Sequence, residues 1–266
     1  MRMRRNDTIL RPIHPNAGVE AHYRRTMTAL IEEMHRSVLY WVRAAYRKNE
    51  PEVAQDELPA ETLRRAVRAL ARRWNRRFSE LAQDLAAHFA QEAGARSDAA
   101  LKSALKRGGF TVEFKMTRAQ RDVLNAVVHE NVALIKSIPA RYLDRVEGIV
   151  MRSVQTGRDL GQLAGDLEEQ LGVTKRRAAV IARSQNGMAT AALTQARQRE
   201  LGITEAIWVH SGAGKHPRRS HQKAGRDRQT YNPAVGWFDP EIGQHILPGQ
   251  LPNCRCVSRP VIKGFG

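Results

Sequence analysis

The chain has 266 residues, of which 42% are hydrophobic, so it can bury a sizeable core. Aromatic residues make up 6% and charged residues 27%, a mix that suits helices better than a β-sandwich. Lys and Arg total 44 against 27 acids, for a net charge of +17. That excess either draws the chain toward polyanions through phosphate contact and counterion release, or coats a solvated surface. No run approaches the roughly 18 apolar residues of a membrane span. Met1-Arg2-Met3-Arg4-Arg5 leads into no apolar stretch, so no secretory signal is expected and the chain belongs in a cytoplasm.

Residues 1–16 read as a basic, irregular arm, because Pro12 and Pro15 interrupt any helix. From Ala17 the pattern turns helical, with Tyr23, Met27, Leu30, Met34, Val38, Trp41 and Ala45 on one face and a stop at Asn49 and Pro51. A second helix is expected from Pro59 to Ala93, with Leu63, Val67, Leu70, Trp74, Phe78, Leu81 and Leu85 as its apolar face. Beside that face runs an arginine ridge: Arg64, Arg68, Arg72 and Arg76 at four-residue spacing, flanked by Arg65, Arg73 and Arg77. Like charges at that spacing repel, and a nearby anion relieves them. The ridge is therefore a candidate nucleic-acid contact, or else a solvated face beside a core stripe.

Phe110-Thr111-Val112-Glu113-Phe114 alternates with period two and predicts a short strand after Gly108-Gly109. Thr117-Arg118-Ala119-Gln120 has the form of a capping box and opens a third helix, with Pro139 as a boundary or kink. That helix continues to Gly157. Asp159 is the expected N-cap of a short helix closed by Gly172, and Thr174 starts another that ends at Gly202. A strand carrying Trp208 is expected between Ile203 and His210, followed by a stretch rich in Gly, Pro, His and Arg. The expected fold is mainly α: an elongated helical N-terminal region with a small loop-rich α+β C-terminal module. Its expected domains are the arm 1–16, a helical domain 17–202 with a sub-boundary near 108–116, and the module 203–266.

One ordered set of residues stands out in the tail. Trp208 is followed by Arg218-Arg219-Ser220-His221, Gly225, Trp237-Phe238, Pro248-Gly249 and Pro252-Asn253-Cys254-Arg255-Cys256. Upstream, Ala178-Ala179-Val180-Ile181-Ala182-Arg183-Ser184 leads through Gly202-Ile203 to the tryptophan. This order resembles the phage head-morphogenesis family, the Mu F-like minor head proteins, over roughly Thr117 to Val261. The chain departs from that pattern in two places. Ser211-Gly212-Ala213-Gly214-Lys215-His216 carries no acid between Trp208 and Arg218, and Ser184-Gln185 stands where the family has Thr-Glu. The resemblance implies structural work in the head of a tailed bacteriophage. Such proteins join the procapsid in the host cytoplasm, near the portal protein and the major capsid or scaffolding protein, some of them close to packaged DNA. Some relatives carry a fused enzyme or toxin domain after the Asn-Cys-Arg-Cys element, but only ten residues follow Cys256 here, so none is expected.

The resemblance singles out Arg183, Trp208, Arg218, His221, Gly225, Asn253, Cys254 and Cys256 as the structural motif. Two cysteines cannot form a disulfide framework. If extended, Cys254 and Cys256 share one face while Arg255 points away, so both sulfurs can reach one zinc ion. His221 is the third candidate ligand, and His210, His216 or His245 a fourth. The alternative is that the cysteines are reduced packing groups and His221 bonds backbone. Arg218 and His221 then hold a bend across loops, Asn253 bonds its own backbone in a turn, and Trp208 and Trp237 supply core. No catalytic residue, cofactor other than a zinc ion, membrane or small-molecule substrate is expected. Gly212-Ala213-Gly214-Lys215 lacks the first Gly and final Ser/Thr of a phosphate loop. A nucleic-acid-binding or metal-dependent nuclease module is the second reading. It rests on charge and on His210 or His221 as a base, with Asp227 and Asp239 isolated in sequence.

Overall fold

Four long helices take up most of the chain: α1 (Ala17–Lys48), α2 (Pro59–Arg107), α3 (Arg118–Gln155) and α4 (Leu160–Glu200). The short strand β1 (Thr8–Ile9) precedes them. After them come β2 (Glu205–Val209), α5 (Arg219–Arg226), β3 (Thr230–Tyr231), β4 (Trp237–Asp239), β5 (Gln244–Ile246) and β6 (Val257–Ile262). This computed structural model describes residues 7–48, 59–156, 160–214 and 216–264. The predicted stop at Asn49 and Pro51, the Gly157 terminus and the Asp159 cap lie outside the described residues. The architecture is the expected one, mainly helical with a small sheet-containing module at the C-terminal end.

Several local expectations are corrected. Residues 7–16 are irregular apart from a two-residue strand, but they are held in place: Thr8 and Ile9 pair with Ile262 and Val261 of β6, and Leu10 and Ile13 are buried. The seam of α1 is Tyr23, Met27, Ile31, Met34, Val38, Val42 and Tyr46, so Ile31, Val42 and Tyr46 replace Leu30, Trp41 and Ala45. Trp41 is exposed and meets the exposed Tyr40 edge to face. Helix α2 runs past Ala93 because Gly94 is a packing glycine. A Cβ there would lie 3.4 Å from Leu124 and 3.9 Å from Leu193. Phe110–Phe114 forms no strand. Phe110, Val112 and Phe114 pack on Leu101 and Leu105, which satisfies the alternation without a hydrogen-bonded partner strand. Helix α3 passes through Pro139, and α4 passes through Gly172 and Thr174. Thr174 is not a helix start; its hydroxyl donates back to the Gln170 carbonyl at 2.9 Å, as mid-helix threonines do.

The chain divides into two compact units, and each long helix contributes to both. One unit comprises residues 21–86 and 130–181 and is helical. Its core includes the α1 seam, Leu63, Val67, Leu70, Trp74 and Phe78 of α2, and Ile135, Ile138, Tyr142 and Val146 of α3. Several of its buried polar groups pair within the unit. Tyr23 donates to Asn131 at 2.9 Å, and His35 lies 2.8 Å from the Tyr142 hydroxyl and 3.0 Å from Glu168.

The other unit comprises residues 1–20, 87–129 and 182–266. Its sheet has the order β1-β6-β2-β3, antiparallel throughout, with β4 and β5 forming a separate hairpin. Pro260 sits in β6 between two strands. Its carbonyl accepts from Leu10 at 2.9 Å on the β1 side, so its missing N–H also faces the short β1 and costs β2 no ladder bond. Asn16 caps α1, accepting from Gly18 and Val19 at 2.9 and 3.2 Å. Thr117 caps α3 by accepting from the Gln120 N–H at 3.2 Å. Helix α4 ends at a left-handed Gly202, with Ile203 N–H bonded to the Gln198 carbonyl at 2.9 Å, and the chain turns into β2. Arg197, only 3% exposed, forms a bidentate pair with Asp98 at 2.9 and 2.8 Å. It also donates to Glu200 at 2.9 Å and the Lys115 carbonyl at 2.7 Å, and lies over the Phe114 ring.

Candidate metal centre

The C-terminal part of the sheet-bearing unit has a core of its own. Ala206 and Trp208 of β2, Ala224 of α5, Tyr231, Ile246, Cys254 and Cys256 are all buried together. Trp208 is its hub, with ring centroids 5.0 Å from His221, 5.2 Å from Trp237 and 6.3 Å from Tyr231, all edge-on. Both Trp208 and Trp237 therefore contribute to this core.

Helix α5 is only eight residues long, and its placement depends on Gly225. A Cβ on Gly225 would lie 3.0 Å from the His210 nitrogen and 3.2 Å from its Cα, so the helix backbone rests against the chain leaving β2. His221 lies one turn earlier and so shares this inward face. It is 2% exposed, with Nδ1 3.5 Å from the Cys254 sulfur and 3.8 Å from the Cys256 sulfur. The three donor atoms lie within 4.8 Å of one another. Arg255, between the cysteines, turns the other way and donates to the Ala213 carbonyl at 2.8 Å.

The far side of the His221 ring is also built. Asp239, fully buried, places Oδ2 3.2 Å from His221 Nε2, close but off the axis of an ideal hydrogen bond. The same carboxylate accepts from the Ser220 hydroxyl at 3.1 Å and the Glu241 N–H at 2.9 Å. Glu241 in turn accepts from the Ser220 N–H at 2.8 Å, which holds the start of α5 to the β4–β5 hairpin. Asp239 is isolated in the sequence. No spacing signal links it to His221, because the contact exists only once the hairpin folds onto α5.

The neighbouring Cys256 thiol, then His221 and backbone N–H groups, hold Cys254 down to about 4 against the cost of burial. Cys256 is pushed up by the adjacent Cys254 sulfur and by burial. The buried Trp208 indole N–H has no aligned acceptor and acts on the Cys256 sulfur, favouring its thiolate.

A cavity of about 280 Å³ opens beside the sulfurs, lined in part by His210, His216, Arg218 and Asn253. No carboxylate lines it among the described residues. His210 accepts from the Gly212 N–H at 3.2 Å, and His216 is exposed. His245 stands apart on β5 against Phe238, so it is not brought to the cysteines. Arg218 reaches the Pro252 carbonyl at 3.4 Å. Asn253 adopts a left-handed backbone, and its side chain accepts from Ser184 at 3.3 Å rather than bonding its own backbone. Arg183, half-buried on α4, directly precedes that serine. Asp227 pairs with Arg226 at 3.4 Å on the surface.

The arginine ridge lies in the helical unit. Arg64, Arg65, Arg68, Arg72, Arg73, Arg76 and Arg77 are all exposed. Arg64 and Arg68 share Glu147, at 3.1 and 3.5 Å. Arg72, Arg73, Arg76 and Arg77 line a concavity of about 440 Å³ with Glu33, Trp74 and Glu80. No helix among the described residues is long and apolar enough to cross a membrane.

Residues 144–259 match the family model described as "Phage Mu protein F like protein". An uncharacterized protein of Haemophilus influenzae (strain ATCC 51907 / DSM 11121 / KW20 / Rd) is 34% identical over 185 residues, covering 68% of this chain. The chain spans 39% of that relative's length. No solved structure matches.

Proposed function

Because the chain belongs over residues 144–259 to the phage Mu protein F-like family, we propose that it is a structural minor head protein of a tailed bacteriophage. It acts in procapsid assembly, beside the portal protein and the major capsid or scaffolding protein, and resides in the virion after assembly in the host cytoplasm. The carrying observation is that the matched region spans every member of the motif from Arg183 to Cys256. The motif's polar residues hold structure together. Arg218 ties to Pro252, Ser184 to Asn253, and Ser220 to Asp239, each linking segments distant in sequence. The cavity beside His221 offers no carboxylate to hold magnesium or act as a base, so no catalytic step is assigned. Mass spectrometry of purified procapsids and mature heads tests the reading. Peptides of this chain are expected in the particles, and their absence from both forms refutes it.

A second reading, nucleic-acid binding, is favoured by the Arg72–Arg77 concavity together with the net charge of +17. On this reading packaged DNA is a partner and contact is through phosphates without sequence choice. Its affinity for duplex DNA then falls steeply with salt. A chain that binds no DNA at low ionic strength ends this reading and leaves the first intact. The nuclease form of it requires cleavage that is lost in His221→Ala.

A further inference from the structure

We propose that His221, Cys254 and Cys256 bind one zinc ion, which clamps α5 to the segment entering β6. The inference goes beyond the capsid reading and does not depend on it.

The distances carry it. With Zn–S about 2.3 Å and Zn–N about 2.05 Å, tetrahedral geometry puts a sulfur and a nitrogen on one ion about 3.6 Å apart. The two sulfur-to-Nδ1 distances are 3.5 and 3.8 Å. A neutral imidazole nitrogen accepts one S–H bond comfortably, whereas here two sulfurs converge on the same nitrogen, as they do around a shared cation. The ring is also turned as a metal ligand is turned. Nδ1 faces the thiols, and Nε2 faces the buried Asp239 carboxylate at 3.2 Å, the usual partner of a metal-bound histidine. Asp239 is itself fixed by Ser220 and Glu241, so the ring orientation is built by three other groups.

Charge and softness select the ion. Two thiolates and one neutral imidazole neutralise a divalent cation inside a nearly dry core, where Cys254 and Cys256 are 8% and 5% exposed. Thiolates favour zinc over magnesium or calcium. The cavity that His210 and His216 line lies beside the three ligand residues and leaves room for a fourth ligand. The role assigned to the ion is structural, because its three ligands come from two segments that it ties together. It joins two segments more than thirty residues apart in a module with few aliphatic core residues.

The test uses the full chain, purified without chelator from zinc-supplemented cells. Elemental analysis is expected to find about one zinc per chain. Thiol modification of the native protein should release that zinc as both cysteines react. Cobalt(II) exchanged into the chelator-stripped protein should give a thiolate-to-cobalt charge-transfer band and the visible bands of a tetrahedral ion. Cys254→Ser and His221→Gln should lose the zinc, while His210→Ala and His245→Ala keep it. The stripped chain's refilling with zinc reads the site even where those variants fail to fold. A folded chain with two freely reactive thiols that takes up neither zinc nor cobalt overturns the assignment. So does a Cys254–Cys256 disulfide in the freshly isolated protein, and loss of zinc from His210→Ala overturns the three-residue set.

Discussion

Gly225→Ala inverts the usual sign of a helix substitution. In an open helix, Gly→Ala stabilises by about 0.5–1 kcal/mol, because alanine loses less backbone entropy. Position 225 is not open. The added Cβ would lie 3.0 Å from the His210 nitrogen and 3.2 Å from its Cα, and closer still to its Cβ. These atoms belong to the chain just leaving β2, so no side-chain rotation relieves the overlap. Restoring ordinary contact requires α5 to retreat by roughly 1 Å, which pulls on His221 and its packing against Trp208. Overpacking of this kind costs about 1–3 kcal/mol, against a propensity gain that shrinks near a helix end, leaving a net loss of about 1–2 kcal/mol. Gly165→Ala is the matched control, since that glycine is exposed in α4 and a Cβ there meets nothing within 4 Å. It should gain about 0.5–1 kcal/mol. Urea unfolding, followed by both circular dichroism and tryptophan fluorescence, gives the two midpoints at constant slope. If Gly225→Ala matches or exceeds the wild type in stability, the close approach of α5 to β2 is wrong.

Three further outcomes follow from particular contacts. Arg197→Met strands Asp98 and Glu200 beside a buried apolar group and should cost about 2–4 kcal/mol, somewhat below a fully buried pair because both carboxylates are partly exposed. Arg197→Lys should recover only part of this, since a lysine cannot repeat the two-pronged contact; full recovery in urea titration would count against it. Asp239→Asn should weaken zinc binding about 10–100-fold in a chain that still folds, read by competition with a chromophoric chelator. Replacing Arg72 and Arg76 together by Gln should lower the salt slope of DNA affinity by about 2, one phosphate contact each, and an unchanged slope places the contact elsewhere.

The helical character of the chain was legible because apolar residues recur at helical spacing over long runs. The exact seam was less so. Leu30 and Trp41 fit a three-and-four alternation as well as Ile31 and Val42 do, and only the neighbouring helices decide between them. Gly94, Gly172 and Pro139 are local stop signals that the structure overrides. A glycine in a helix costs about 1 kcal/mol, and at Gly94 the close packing on Leu124 and Leu193 offsets that cost. The Phe110–Phe114 alternation marked one buried face correctly, but hydrogen-bonded pairing needs an edge that no local pattern can supply.

At the candidate metal centre the same division holds. The Cys-Arg-Cys spacing by itself puts two sulfurs on one side of an extended segment, and the chain order of the motif marks His221 as their companion. Which histidine could serve as a fourth neighbour was open, and folding brings His210 and His216 to the cavity while leaving His245 on the far hairpin. Asp239 had no signal at all. Residue type and short-range spacing determine what chemistry a segment can offer. Whether a buried carboxylate stands behind the histidine depends on how β4 and β5 fold onto α5, a long-range contact with no periodicity to read.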